Sequence, residues 1–301
     1  MEKIQVLHLD SGREMRGGQW QALYLMVGQK TIGLEPRLLA RKGSPIFREA
    51  EKRGVPVSGL SLWAVRRESA KCPITHVHDA HSHTLAALVA RNRIVVSRRV
   101  AFPVNTGWLS RWKYRRGSLY LAVSEYVARE LRAAGIEEGK LRIVPDGVPV
   151  ETKKQVAGDQ LVAPLWNDPA KGDALARAAG QLAGCNIKFS EDLAADLPNA
   201  RAMLYLTQME GLGSGALLAM ANGVPVIASR AGGLPEIVQD GVNGLLVDNE
   251  PEAVAGAIRR LMNDPPLAAR MGETGRQMVL DGYTLAHLAL RTYHEYKLVL
   301  A

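Results

Sequence analysis

Residues 209–238 read MEGLGSGALLAMANGVPVIASRAGGLPEIV, a glycine turn, an apolar helix, a buried strand and a second glycine turn in unbroken succession. Glu210-Gly211-Leu212-Gly213 is a glycine-opened turn, and Ser214 has the side chain of an N-cap for the apolar run that ends at Ala221. The free N–H groups and positive end of that helix would face the turn, which suits an anion such as phosphate. Asn222-Gly223 ends the helix in the left-handed manner, residues 224–229 read as a short strand buried on both faces, and Gly232-Gly233-Leu234-Pro235 turns into a further helix. By pattern alone this is one βα unit of a nucleotide-type sheet, and its glycines need do no more than make tight turns.

The chain has 301 residues, 47% of them hydrophobic and 23% charged, a soluble globular composition long enough for two domains. Cys72 and Cys185 are far apart and follow no ligand spacing, so neither a disulfide framework nor a zinc site is suggested. The first residues run directly into a strand pattern without the apolar core of a signal peptide, and no later run reaches transmembrane length, so a cytoplasmic location is expected. Charge is uneven. Residues 1–150 carry 25 Lys and Arg against 13 Asp and Glu, whereas residues 151–301 carry 13 against 17. The basic half suits an acidic ligand, an anionic membrane surface or nucleic acid, or is a solvated basic surface with no partner.

Outward from the signature, the first half alternates strands and helices. Residues 3–9, 33–39, 55–57, 74–78, 93–96, 119–123 and 141–144 read as strands, with helices over 85–90 and 125–134 among those between them. Such alternation predicts a parallel, doubly wound sheet with its ligand cleft beyond the carboxyl ends of the strands. Gly17-Gly18 closes a polar loop between the first strand and an amphipathic helix. His76, His78, His81 and His83 crowd into one stretch, but strand alternation puts only His76 and His78 on a common face, and no tetrahedral set follows; no metal is expected. Arg98 and Arg99 project from the end of a buried strand, where they would meet a phosphate or carboxylate. Residues 108–116 then interleave Trp108, Trp112 and Tyr114 with Arg111, Lys113, Arg115 and Arg116, a mixture suited to an anionic membrane or a phosphorylated lipid-sugar. No helix-turn-helix, zinc or RNA-binding signature accompanies it, and no nucleic-acid partner is expected.

The 209–238 stretch resembles the donor-site signature of the retaining, nucleotide-sugar-dependent glycosyltransferases of family 4, of the two-domain GT-B type. Glu210, Gly211, Leu212, Gly213, Ala219, Met220, Ala221, Gly223, Pro225, Val226, Ile227, Gly232, Gly233 and Glu236 fit the family pattern, while Leu218 stands where the family has a second Glu. Pro145-Asp146-Gly147-Val148 resembles the family's Pro-Asn-Gly-Val, with Asp146 for Asn. Lys171-Gly172 matches a Lys-Gly pair, but Trp166 stands five residues earlier, where the family has Arg. Arg99 appears in place of a His that faces the donor sugar in many members. Between Lys171 and Glu210 only a helix over 173–182 and a strand over 186–189 are placed, so about thirty residues of the family pattern look missing and the second domain looks reduced.

The resemblance implies an α/β protein of two Rossmann-like domains facing a cleft: residues 1–150 on the acceptor side, 151–283 on the donor side, and a helix over 284–301 crossing back to the first domain. It implies Glu210 and Lys171 as the catalytic pair, with Gly17, Gly18, Gly211, Leu212, Gly213 and Ser214 binding the donor and Arg98 and Arg99 binding acceptor or phosphate. Expected partners are a nucleotide-sugar donor, a glycan or glycolipid acceptor and an anionic membrane at its inner face; no cofactor or metal is expected. The implied function is retaining sugar transfer in envelope polysaccharide or lipopolysaccharide synthesis. The alternative is a glycosyltransferase-like binding subunit that has lost turnover, because Trp166 and Leu218 remove two contacts from the expected grip on the donor.

Overall fold

The computed structural model describes residues 4–105, 107–151, 158–166 and 171–301. It divides into two units, Met1–Gly147 with Leu285–Ala301, and Val148–Thr284. Of the polar run read as the inter-domain boundary, residues 152–155 lie outside the described residues.

The first unit is built on seven parallel strands, β1 (Gln5–Asp10), β2 (Glu35–Ala40), β3 (Val57–Gly59), β4 (Ile74–Val77), β5 (Arg93–Arg98), β6 (Leu119–Ala122) and β7 (Leu141–Ile143), in the order β3-β2-β1-β4-β5-β6-β7. All four positions of β4 and of β6 are buried, which is why these strands read as continuous apolar runs rather than as alternation. Strand order reverses between β1 and β4, the kind of switch point where sheets of this class bind ligands. Three helices of eight residues, Pro45–Lys52, Leu62–Ser69 and Trp108–Arg115, were not read from the sequence, because each is short and carries a mostly charged or exposed surface. The first two begin at serine caps, Ser44 accepting from the Phe47 amide and Ser61 from the Ala64 amide.

A chain of buried hydrogen bonds ties this unit together. Arg99 Nη1 lies 3.1 Å from His78 Nδ1, and His78 Nε2 lies 2.9 Å from His8 Nδ1. His8 Nε2 reaches Gln29 Oε1 at 2.8 Å, Gln29 Nε2 donates to the Tyr296 hydroxyl at 3.1 Å, and that hydroxyl lies 2.6 Å from His76 Nδ1. His76 Nε2 then meets Ser97 Oγ at 2.8 Å. A guanidinium has only hydrogens to give, so His78 must accept at Nδ1 and donate from Nε2. The same logic passes to His8 and Gln29, so Arg99 sets the tautomers of His78 and His8 and the orientation of the Gln29 amide, whose Nε2 donates to Tyr296; His76 beyond it sits between two hydroxyls, each able to donate or accept. Tyr296 belongs to the terminal helix Leu285–Leu300, which packs so closely on the helix Gly17–Thr31 that a Cβ on Gly28 would come within 2.8 Å of the Leu285 carbonyl oxygen.

The second unit carries five parallel strands, β8 (Gln160–Pro164), β9 (Ile187–Ser190), β10 (Ala200–Tyr205), β11 (Val226–Ser229) and β12 (Gly244–Val247), in the order β12-β11-β10-β8-β9. β10 corrects the sequence reading, which placed only one helix and one strand between Lys171 and Glu210. Its six-residue run is too short for periodicity to separate a buried strand from a helix segment. The order reverses between β8 and β10, so this unit has a switch point of its own. One core of Leu161, Ala202, Leu204, Ile227, Leu245 and Ile258, among others, fills the space between the sheet and its helices.

Two outcomes follow for the first unit. Tyr296→Phe strands the Gln29 amide hydrogen and the His76 Nδ1 in a dry interior and is expected to cost about 3 kcal/mol in urea unfolding, while Tyr293→Phe on the same helix costs under about 0.5 kcal/mol. Equal costs would mean that the hydroxyl of Tyr296 contributes nothing specific. Acid should also loosen this unit. Burial depresses His8 from 6.5 to about 3 and His83 likewise, and holds His76 and His78 well below 6.5. Between these values and 6.5 the unfolded chain binds more protons than the folded one, so stability falls as pH falls. Asp10, raised from 3.8 to about 6 by burial and by the charge of Asp79, acts in the opposite sense, but it is one group against four. Melting followed from about pH 7 to about pH 5 should show a falling Tm, with about 2 kcal/mol lost by the lower pH for each of His8 and His83; a Tm that holds or rises contradicts the neutral, buried state.

Candidate functional site

The switch point of the second unit brings together residues that are far apart in sequence. β8 and β10 are neighbours, and Lys171 follows the first as Glu210 follows the second. Gly172 is what lets them meet. Its amide donates to the Leu206 carbonyl at 3.0 Å, and a Cβ there would run into the Leu206 side chain. Lys171 thereby forms a bridge with Thr207 at the end of β10, and its Nζ lies 2.9 Å from Glu210 Oε2. Both side chains are largely sheltered, at 22% and 17% exposure. Glu210 is fixed by two further donors, the Tyr205 hydroxyl at 3.1 Å on Oε2 and the Gly211 amide at 3.0 Å on Oε1.

Trp166, which occupies the place of an expected cation, lies against the cation that is present. Its ring sits 4.7 Å from Lys171 Nζ and meets Tyr205 edge-on at 5.6 Å. The aromatic pair shields one side of the Lys171–Glu210 pair from water. This role was not foreseen in the sequence reading; the spacing of Trp166 from Lys171 was the only signal for it.

The glycine turn after Glu210 packs backbone to backbone against the second glycine turn. The Gly233 amide donates to the Glu210 carbonyl at 3.0 Å, and a Cβ on Gly232 or Gly233 would strike the carbonyl oxygen of Glu210 or Gly211. Gly213 adopts φ +105°, a left-handed conformation that favours glycine, and it is the N-cap of the helix Ser214–Ala221. Ser214 is therefore the first helical residue and not the cap, a correction that leaves the helix with no side-chain cap. Its first amides and its positive end stay available to an anion. Leu212 is buried, whereas Ser214, Gly215 and Leu218 make up the half-exposed positions of this helix. The second glycine turn is followed only by a single 3-10 turn, Leu234–Glu236, in place of the helix expected there.

In the first unit, Gly17 and Gly18 are the opening residues of the helix Gly17–Thr31 and not the end of a loop. A Cβ on Gly18 would meet nothing within 4 Å, so internal packing does not demand glycine there. The tight glycine at this edge is Gly12, held by Asp10 Oδ1 at 2.8 Å, and the sequence reading passed over it. Arg98 is engaged by the Tyr114 hydroxyl at 3.3 Å and by the Phe102 carbonyl. Arg99 is engaged by Asp146 at 2.9 Å and by His78, in a nearly buried ion pair. The histidine stretch does not act as one set: His76 and His78 join His8, His83 packs edge-on against Tyr114, and His81 is exposed. Nitrogens of His8, His76 and His78 lie within 4.8 Å of one another. Each is already hydrogen-bonded, and Arg99 places a positive charge at one end, which opposes a second cation.

Comparison with known proteins places this geometry. Residues 17–152 match the profile of Glycosyltransferase Family 4, and residues 165–278 match that of Glycosyl transferases group 1. A GDP-mannose-dependent alpha-(1-6)-phosphatidylinositol monomannoside mannosyltransferase of Mycolicibacterium smegmatis is 47% identical over 76 residues, 25% of this chain and 20% of that protein. A D-inositol 3-phosphate glycosyltransferase of Streptomyces griseus is 35% identical over 125 residues, 38% of this chain and 26% of that protein. The matched part of this chain thus spans about a quarter or less of the length of these relatives. The fold overlays the crystal structure of Anabaena HepE in complex with UDP and glucose with a TM-score of 0.85 at 15% identity, covering 98% of this chain and 99% of that one. It overlays sucrose-phosphate synthase of Thermosynechococcus elongatus with a TM-score of 0.75 at 18% identity, covering 99% of each. With a family 4 domain in its first half, a group 1 domain in its second and parallel sheets of the GT-B kind in both, the chain belongs among the family 4 glycosyltransferases of GT-B fold.

Proposed function

We propose that the chain transfers a sugar from a nucleotide-sugar donor to a glycan or glycolipid acceptor, with retention of anomeric configuration, in the synthesis of envelope polysaccharide or lipopolysaccharide. The second unit would hold the donor and the first the acceptor. One observation carries this reading: at the switch point of the second unit, Lys171 and Glu210 are paired at 2.9 Å, and the turn that follows Glu210 leads into a helix that starts without a side-chain cap. A diphosphate approaching Lys171 exchanges one anionic partner for another, and the amides from Gly211 to Ser214 supply further donors. In a front-face reaction the bond from the anomeric carbon to the leaving phosphate breaks. The bond to the acceptor oxygen forms on the same side, and the acceptor proton passes to the departing diphosphate. The chain's task is then to neutralise the charge that develops on that diphosphate, which falls to Lys171. Glu210, fixed by Tyr205 and the Gly211 amide, would lie beside the sugar. No metal is assigned a part. Relative to the family pattern the second unit is read as shortened, with a five-stranded sheet.

If this is right, Lys171→Ala slows turnover by a factor on the order of a hundred, and Glu210→Gln, which keeps size and loses charge, is similarly damaging in a radiolabelled-donor transfer assay. Leu218→Glu tightens donor binding if the half-exposed face of the helix Ser214–Ala221 meets a ribose. Should purified protein transfer no sugar, and Lys171→Ala leave nucleotide binding unaltered, the binding-subunit reading takes over; Trp166 and Leu218 are the residues that favour it.

Contact with an anionic membrane is part of the same proposal. The helix Trp108–Arg115 buries none of its residues, and Trp108 is 77% exposed. At 100° per residue, Trp108, Trp112, Leu109 and Arg115, with Arg116 just past the end, fall within about 120° of one another, while Tyr114 turns inward to Tyr120. Aromatic and cationic groups on one open face suit a headgroup region. Replacing Arg115 and Arg116, the cations of that face, by Gln should cut sedimentation with phosphatidylglycerol vesicles at low salt several-fold and leave binding to phosphatidylcholine vesicles alone; equal sedimentation before and after would mean a plain solvated surface.

A further inference from the structure

The first unit has another place shaped for a ligand, at the carboxyl ends of β1 to β3. A cavity of about 670 Å³ opens there, within the size range of small-molecule sites. Arg41 and Lys42, which directly follow β2, line it together with Arg67 and Trp63 of the helix Leu62–Ser69, and no lining residue is acidic. Arg41 and Lys42 have no ion-pair partner among the described residues. Arg98 and Arg99, to which the sequence pointed for anion recognition, are by contrast already held by Tyr114, Phe102, Asp146 and His78.

The walls are built rather than merely basic. The stem of Lys42 lies over Gly59, where a Cβ would come within 2.9 Å of its Cε, so the glycine keeps room for the lysine against that wall. Arg67 is fixed from two sides, its Nε 2.6 Å from Glu68 Oε1 and its guanidinium 4.6 Å from the Trp63 ring centre. Trp63 is 67% exposed, a large aromatic ring presented to solvent beside three cations. Serine hydroxyls of Ser11 and Ser58 complete the lining that matters here; that of Ser11 donates to Asp79 Oδ1 at 2.6 Å and is left to accept, while that of Ser58 can donate or accept.

We propose that this cavity is the acceptor subsite and that it selects a pyranoside carrying an anionic group, either a phosphate monoester or a carboxylate. The apolar face of the sugar ring packs on Trp63, the serines meet ring hydroxyls, and Arg41 and Lys42 hold the anion while Arg67 adds its charge. This assignment rests on the reading of the first unit as the acceptor side.

The test is calorimetric titration of the intact chain with glucose 6-phosphate, glucuronate, glucose and inorganic phosphate, with uridine diphosphate and guanosine diphosphate titrated in parallel. Both charged sugars should bind at least about tenfold more tightly than either glucose or inorganic phosphate. The double variant Arg41→Gln, Lys42→Gln should bring them to the level of glucose, and Trp63→Ala should weaken charged and neutral sugars alike, each with an unaltered melting curve. Absent binding of the charged sugars, affinity equal to that of glucose, or an unchanged response in the double variant would overturn the proposal. So would inorganic phosphate binding as tightly as glucose 6-phosphate with Trp63→Ala without effect, since the site would then take a bare anion. Failure of both nucleoside diphosphates to bind, with the preference for charged sugars present, counts against the transferase reading and leaves this subsite standing. Nucleotide binding without preference for charged sugars does the reverse.

Discussion

The second unit of this protein depends on one close approach, the backbone of Gly232-Gly233 lying directly on the backbone of Glu210-Gly211. No side chain fits between them, so the two turns move as one piece, and Glu210 is held in place from behind by main chain alone. Gly172 repeats the device on the other side of the switch point, bringing Lys171 against the end of β10. Positions that look like mere punctuation in the sequence thus fix the separation of the two charged groups on which the proposed chemistry rests.

Departures from the family pattern turn out to be paired. Asp146 and Arg99, each a substitution in the pattern the sequence resembles, face one another as a nearly buried ion pair. A guanidinium left alone at that depth would be strongly destabilising, so the two changes are intelligible only together. Trp166 likewise stands where the family pattern has a cation, and Lys171 Nζ lies over its ring, an aromatic neighbour in place of a repelling one.

Two parallel α/β units were legible because long buried strands and their turn residues leave strong local marks. The missing pieces were short: three eight-residue helices and the strands β8, β10 and β12, whose patterns span too few turns or residues to show a period. At the site, the sequence named Glu210 and Lys171, and the structure places them in contact. It could not show that Ser214 gives up the cap to Gly213, because that is decided by the left-handed turn at Gly213, where a Cβ would come within 2.7 Å of the Leu234 side chain. Nor could it show that Arg98 and Arg99 would be occupied by protein partners, or that residues as distant as Ser11, Arg41 and Trp63 line one cavity. These are consequences of where strands end in space, which a linear reading does not contain.

The hydrogen-bond chain of the first unit starts on Arg99 and ends on Ser97, two residues apart at the end of one strand, after passing through β4, β1, the helix Gly17–Thr31 and the terminal helix. From Arg99 to Gln29 every donor points the same way round this loop. Along that stretch, turning over any one ring or amide sets a donor against a donor or an acceptor against an acceptor, so none of these can be reversed without its neighbours. The loop is therefore held whole or lost whole. Elements distant in sequence open together or not at all, and the last helix of the chain, which a fold diagram would draw as an appendage, shares the fate of the first strand.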